Sequence, residues 1–342
     1  MTKRAGIRIG HTDAFGWQVY VAELTDQVYT ILDEKDGWLL IRHGGAQDWL
    51  DREQALLPED AVRFFTERIR LDTKDALAFA HRGRAWQERG DLERALQDLN
   101  EAVRLSPDNP GWLRARGIVY AELKDYERAI RDYTDAIRLA PGDAITYYRR
   151  GSARKASKDY EQAIRDYSDA IRFDPRWSDA YFNRGNSYQS LKNYDRAIDD
   201  YSQAIRLDPK WSDAYFNRAN ARRAKKDYAQ AVNDYREAIR LDPRDADALS
   251  GLAWLLATCP DANVRDGLKS VEHAMRACEL TSWEAPYFLA VLGAAWAELG
   301  EFDEAIKSQQ RALKSARYER EDGDKARQRI SLYEKGRPYR EE

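Results

Sequence analysis

From Ala76 onward, apolar and small residues recur at three- and four-residue spacing in runs broken by short polar turns. Between Asp179 and Pro209, the run DAYFNRGNSYQSL is followed by KNYDRAIDDYSQAIRLDP, and each predicts an amphipathic helix. A proline closes the second helix, because its ring cannot continue the hydrogen-bond ladder. The pair then repeats every 34 residues: Pro107, Pro141, Pro175, Pro209 and Pro243 keep that step, as do Gly83, Gly117, Gly151, Gly185 and Ala219, and Ala95, Ala129, Ala163, Ala197 and Ala231. Five regular helix pairs follow, at 76–109, 110–143, 144–177, 178–211 and 212–245. The glycine-type position lets the first helix approach the second, while Tyr181, Tyr188, Tyr194, Tyr201 and Leu207 fill the remaining space in the fourth pair.

The periodicity extends in both directions with less regularity. Residues 58–75 match a second helix alone, since Ala61, Phe65 and Thr73 stand 34 before Ala95, Leu99 and Pro107, and they predict a capping half-repeat. Leu249, Leu252, Ala253 and Leu256 open a sixth pair, 246–285, whose second helix (about Leu268 to Leu280) is delayed by a loop after Thr258. A seventh pair, 286–319, carries Gly293, Trp296, Gly300, Phe302, Ala305 and Ala312. The charged segment 320–342 contains Ile330, Leu332 and Tyr333 and predicts a solvated capping helix ending near Gly336, then a tail. Residues 1–57 lack the period. Their β-rich runs WQVYVAEL, QVYTILDE and GWLLIRH are separated by turns, and Asp36-Gly37 suits a tight hairpin because glycine accepts positive φ.

The pattern of 34-residue helix pairs, with small, aromatic and proline positions in register five times, resembles the tetratricopeptide repeat (TPR). Arg154 and Arg222 depart from it, standing where an aromatic residue is usual. The resemblance implies an all-α solenoid, a right-handed superhelix of helix pairs, whose first helices line a concave groove. The run DGWLLI followed by GGAQDWLD resembles bacterial SH3-like domains and implies a small all-β barrel over residues 1–57. Such domains bind cell-wall or proline-rich ligands; Trp17, Trp38, Trp49 and Tyr20 would either form an aromatic groove of that kind or fill the barrel core.

Composition adds exclusions. Fifty-six basic against fifty-nine acidic residues give a net charge of -3, so no global positive field attracts nucleic acid. No apolar run approaches the ~20 residues of a membrane span. The stretch from Met1 to Gly10 lacks the apolar core of a secretory signal, so a cytoplasmic location is expected; a start further upstream would make a periplasmic or envelope location the expectation. Cys259 and Cys278 form no CxxC and read as core residues. His11, His43, His81 and His273 are scattered, and neither a GxSxG elbow nor a phosphate loop occurs. No enzyme activity, cofactor or metal site is expected, and the expected partner is a protein or peptide.

Charge is nonetheless patterned. Arg82, Arg116, Arg150, Arg184 and Arg218 share one repeat position, and Asp98, Asp132, Asp166, Asp200 and Asp234 share another. Five opposite pairs at fixed spacing predict a structural ladder between helices of one pair or of neighbouring pairs. Arginine's rigid fork suits such a role better than lysine. The groove positions given by the TPR resemblance include Tyr148, Phe182 and Phe216 in one row, Arg149, Asn183 and Asn217 in the next, and Ser152, Asn186 and Asn220 in a third. Asparagine amides both donate and accept, so these rows are expected either to hold the backbone of an extended peptide or to assist helix packing. Phe182 and Phe216 would add apolar anchors. Arg84, Arg114, Arg149 and Lys155 make the first half of the groove basic, and Asp179, Asp213 and Asp247 make the second half acidic, which favours a ligand of matching polarity. Asp179 and Ile118 break the carboxylate-clamp pattern of chaperone-binding TPRs around Arg114. Trp254 either faces the groove as a contact residue or packs under the loop after Thr258.

Overall fold

Helix formation follows the sequence period closely. The computed structural model describes the backbone of residues 6–9, 17–21, 28–35, 38–43, 46–51, 55–56 and 58–341, and the side chains of 61–341. Strands β1 (Gly6–Ile9), β2 (Trp17–Val21), β3 (Val28–Lys35), β4 (Trp38–His43), β5 (Ala46–Asp51) and β6 (Ala55–Leu56) form one sheet in the order β5-β4-β3-β2-β1-β6. Neighbours are antiparallel except β1 and β6, which are parallel. The expected SH3-like barrel, its Asp36-Gly37 turn and its aromatic side chains Trp17, Tyr20, Trp38 and Trp49 lie outside the described residues and side chains.

Helix α1 (Pro58–Leu71) precedes the pairs α2/α3 (Ala76–Glu88, Leu92–Leu105), α4/α5 (Pro110–Glu122, Tyr126–Leu139) and α6/α7 (Ala144–Ala156, Tyr160–Phe173). Then come α8/α9 (Ser178–Ser190, Tyr194–Leu207), α10/α11 (Ser212–Ala224, Tyr228–Leu241), α12/α13 (Ala246–Thr258, Gly267–Leu280), α14/α15 (Pro286–Leu299, Phe302–Leu313) and α16 (Ala316–Tyr333). The chain divides into two compact units, Met1–Phe173 and Asp174–Glu342.

Local chemistry explains the boundaries. Asp75, Asp91 and Asp125 cap α2, α3 and α5 by accepting the backbone N–H of Ala78, Arg94 and Arg128, groups that a helix start leaves unpaired. The repeating prolines stand two residues beyond the last helical residue, as with Leu105 and Pro107. The short turn inside each of the five regular pairs and the seventh contains a left-handed residue. Gly90 and Gly300 supply it with φ of 77° and 92°, but Lys124, Lys158, Lys192 and Lys226 occupy the equivalent place at 61°, 65°, 58° and 64°.

The core of each regular pair is built around one large side chain of the second helix: Leu99, then Tyr133, Tyr167, Tyr201 and Tyr235, all buried. In the second, third and fourth pairs glycine on the first helix admits that ring. A Cβ at Gly117 would lie 2.7 Å from Tyr133 Cε1, and one at Gly185 would lie 2.8 Å from Tyr201 Cε1. Helix α16, charged as it is, buries Tyr318, Ala326, Arg329 and Tyr333 against the apolar clusters of α14 and α15. It is thus less solvated than its composition suggests.

Candidate functional site

The orientation of the first helix in each regular pair is fixed by a two-pronged arginine. Arg82 Nε and Nη2 donate to the Asp98 carboxylate at 2.7 Å each, and Arg116 does the same to Asp132 at 2.8 Å. Arg150 reaches Asp166 at 3.1 and 2.7 Å, Arg184 reaches Asp200 at 2.8 and 2.7 Å, and Arg218 reaches Asp234 at 2.9 and 2.7 Å. The third nitrogen turns to the preceding pair: Nη1 of Arg82, Arg116, Arg150 and Arg218 donates to Thr66, Asn100, Thr134 and Ser202 at 2.9–3.1 Å. One guanidinium therefore ties three helices together. Arg154 and Arg222 add a further bond to Asp166 and Asp234, at 2.8 and 2.6 Å. Burial pushes the carboxyls of Asp166 and Asp200 up, and the arginine hydrogen bonds oppose that rise.

This scaffold presents the outer faces of the first helices, which touch one another in sequence within each unit: α2, α4 and α6 in the first, α8, α10, α12 and α14 in the second. In the first unit Arg114 is ion-paired with Asp143, so the basic row is locally neutralised there, whereas Arg149 is exposed. Lys155 is partly buried, which lowers its ammonium pKa. Tyr148 lies with its ring 5.6 Å from that of Tyr167.

In the second unit the same arrangement recurs twice. Phe182 and Phe216 are half-buried, with ring centroids 5.7 and 6.1 Å from Tyr201 and Tyr235, and Phe182 also meets Trp211 at 4.4 Å. Each ring is thus packed within its own aromatic group. Asn183 and Asn217 each donate Nδ2 to the carbonyl four residues back, Asp179 at 3.0 Å and Asp213 at 2.9 Å, so one amide donor is spent inside the helix. The Asn186 and Asn220 side chains are oriented by phenols: Tyr201 and Tyr235 donate to their Oδ1 at 2.8 and 2.6 Å. Ser152 meets Tyr167 in the corresponding place at 3.2 Å. The Tyr201 oxygen also lies 3.0 Å from the Gln189 amide. Its single proton serves one acceptor at a time, so the other amide presents its NH2. Asp213 and Asp247 are exposed along the same face.

Trp254 packs against the apolar cluster that includes Leu289, Tyr318 and Ala326. Its ring stands 5.8 Å from that of Tyr339, with the Arg329 guanidinium 5.5 Å from its face. The C-terminal contacts of Tyr339, Arg340 and Glu341 had no periodic signal in the sequence. The Thr66, Asn100, Thr134 and Ser202 row did have one, each standing 16 residues before its arginine. Cys259 and Cys278 are buried free thiols, and burial pushes Cys278 up to about 11. Among the described residues no cluster of His, Cys, Asp and Glu is arranged to hold a metal ion, and no helix is long and apolar enough to cross a membrane.

Tetratricopeptide repeat models match residues 81–144, 178–210 and 212–245, and a TPR repeat model matches 151–192. The chain therefore carries tetratricopeptide repeats, arranged as an array of helix pairs. No curated protein matches it. Among solved structures it resembles the C-terminal part of a TPR repeat-containing protein from Cytophaga hutchinsonii, at 17% identity and a TM-score of 0.56 over 67% of this chain and 93% of that one. A tetratricopeptide repeat protein from Parabacteroides merdae is similar at 19% identity and 0.53 over 80% and 99%. YrrB, a TPR protein described as having an unusual peptide-binding site, is similar at 21% and 0.50 over 55% and 97%.

Proposed function

We propose that this protein is a non-enzymatic interaction scaffold that binds an extended peptide segment of a partner on the first-helix face of α8 and α10. The observation that carries the reading is the duplicated set Phe182/Asn183/Asn186 and Phe216/Asn217/Asn220, spaced by one repeat, with Asn186 and Asn220 held in fixed orientation by Tyr201 and Tyr235. Oriented amides lower the ordering cost of capture and address main-chain groups whatever the side chains of the ligand. The exposed carboxylates of Asp213 and Asp247 favour a ligand with basic residues beside the captured stretch. The peptide-binding character described for YrrB supports the same class of function, and nucleic acid does not fit a face lined by carboxylates.

Selection of displayed twelve-residue peptides on the full chain, followed by binding of the enriched peptides to an Asn186→Ala/Asn220→Ala variant, tests the reading. Loss of two hydrogen bonds, each contributing about 1 kcal/mol, predicts binding weakened roughly tenfold or more. Enriched peptides that bind this variant and a Phe182→Ala/Phe216→Ala variant undiminished would refute it.

A further inference from the structure

After α16 the chain reverses at Gly336, whose φ of 64° suits glycine, and its last residues return to the first helices of the sixth and seventh pairs. The Tyr339 ring lies tilted against Trp254 with centroids 5.8 Å apart, and the Arg329 guanidinium sits beside both rings, 5.5 and 5.9 Å from their centroids. Arg340 Nη1 donates to the Ala257 carbonyl at 3.2 Å, and its Nη2 makes an ion-pair contact of 2.6 Å with Glu298. The Glu341 backbone N–H donates to the Thr258 carbonyl at 2.8 Å, and its carboxylate lies 3.9 Å from Arg223 of α10.

The receiving groups form a built site. Ala257 and Thr258 are the last residues of α12, where carbonyls lack an intrahelical partner and a cation is favoured. Glu298 of α14 is mostly buried and is held from its other oxygen by Arg265 at 3.0 Å. Trp254, on its cationic support, stands at the repeat position that Ser152, Asn186 and Asn220 occupy in earlier pairs. An aromatic shelf, a positioned carboxylate, two helix-end carbonyls and a cation for an acidic neighbour lie within reach of three consecutive residues.

We propose that Trp254, Glu298, the Ala257 and Thr258 carbonyls and Arg223 form a second peptide-binding site, specific for an extended segment with an aromatic residue followed by arginine and an acidic residue. The chain's own Tyr339-Arg340-Glu341 fills this site in cis. It lies on α12 and α14 with Arg223 at the end of α10, and it shares no residue with the Phe182/Asn183/Asn186 and Phe216/Asn217/Asn220 sets. A tail tethered by so few residues has an effective concentration of about a millimolar, so a free segment of equal affinity displaces half of it only when its own concentration approaches that value. A partner segment of the same chemistry enters by displacing the tail.

The test uses the full chain and a fluorescein-labelled peptide of the tail sequence, KGRPYREE, read by anisotropy. In a Tyr339→Ala/Arg340→Ala variant, which vacates the site, the peptide is expected to bind saturably and at least tenfold more tightly than to the native chain. Adding Glu298→Gln to that variant should weaken the peptide tenfold or more. Arg340→Ala alone, which leaves Tyr339 on Trp254, should give an intermediate affinity. Equal binding to native and vacated chains, or no saturable binding to a vacated chain that keeps native amide protection in α12 to α16, would overturn the proposal. Loss of that protection in both tail variants would also overturn it, by showing the tail to be a structural cap.

Discussion

Replacing Asp132 with alanine tests whether the arginine fork holds the helix pairs together. Asp132 is 4% exposed, and the Arg116 side chain that meets it is 20% exposed. Truncation removes two bonds of 2.8 Å and leaves the guanidinium with Asn100 as its hydrogen-bond partner. Breaking a buried pair in this way costs about 3–5 kcal/mol, and the partial exposure of Arg116 puts the expected loss near the lower end, ~3 kcal/mol. Glu127→Ala serves as the control. Its partner Arg131 is on the same helix, both side chains are more than two-thirds exposed, and the expected change is at most ~0.5 kcal/mol. Replacing both partners, Arg116→Met/Asp132→Leu, removes the charges together and should recover most of the loss. Native-state hydrogen exchange of the α4 and α5 amides, with thermal melts of the full chain, measures all three. An Asp132→Ala protein no less protected than the Glu127→Ala control would refute the reasoning.

Two further outcomes follow from local geometry. Lys192→Gly should stabilise by about 0.5–1 kcal/mol, because relief of the left-handed strain exceeds the extra chain entropy of glycine; a lower melting temperature would contradict this. His81 stacks on Phe65 at 5.3 Å, and burial, helped by Arg84 and Arg68, lowers its pKa to about 4. The unfolded chain then takes up this proton first as pH falls from 6.5, so the contribution is complete above that value and is progressively lost towards pH 4. The loss is about 2 kcal/mol by pH 5. Melts of native and His81→Gln protein at pH 7 and 5 should show a shallower pH dependence in the variant, and parallel profiles would count against the assignment.

The helix pairs were legible because small and aromatic residues recur in strict register, and that recurrence is what packing requires of each pair. The arginine and aspartate rows were visible for the same reason. The third hydrogen bond of Arg82, Arg116, Arg150 and Arg218 was not inferred, because it depends on how far one element is offset from the next. The lysines in left-handed turns run against local preference, since glycine is the residue that sequence rules place there, and helices packed on both sides override it. The contact of Trp254 with Tyr339 was not foreseen, because the two stand 85 residues apart and Tyr339 belongs to no period. Likewise, the aromatic rows were readable as rows, but the degree to which Phe182 sinks against Trp211 is a matter of packing that spacing does not report.

The arginine fork also bears on how such a chain changes length. Arg116, Arg150 and Arg218 each donate to a small polar acceptor on the pair before, so deletion of 110–143 would bring Arg150 to Asn100, the acceptor Arg116 already uses. Recombination between equivalent points thus yields a joint already matched on both sides. The scheme stops where both halves vanish together: the acceptor position before the sixth pair is the exposed Arg236, and the arginine position within that pair is the buried Leu252. Copy number is free to vary up to that seam, while the seam itself admits no further repeat of the regular kind.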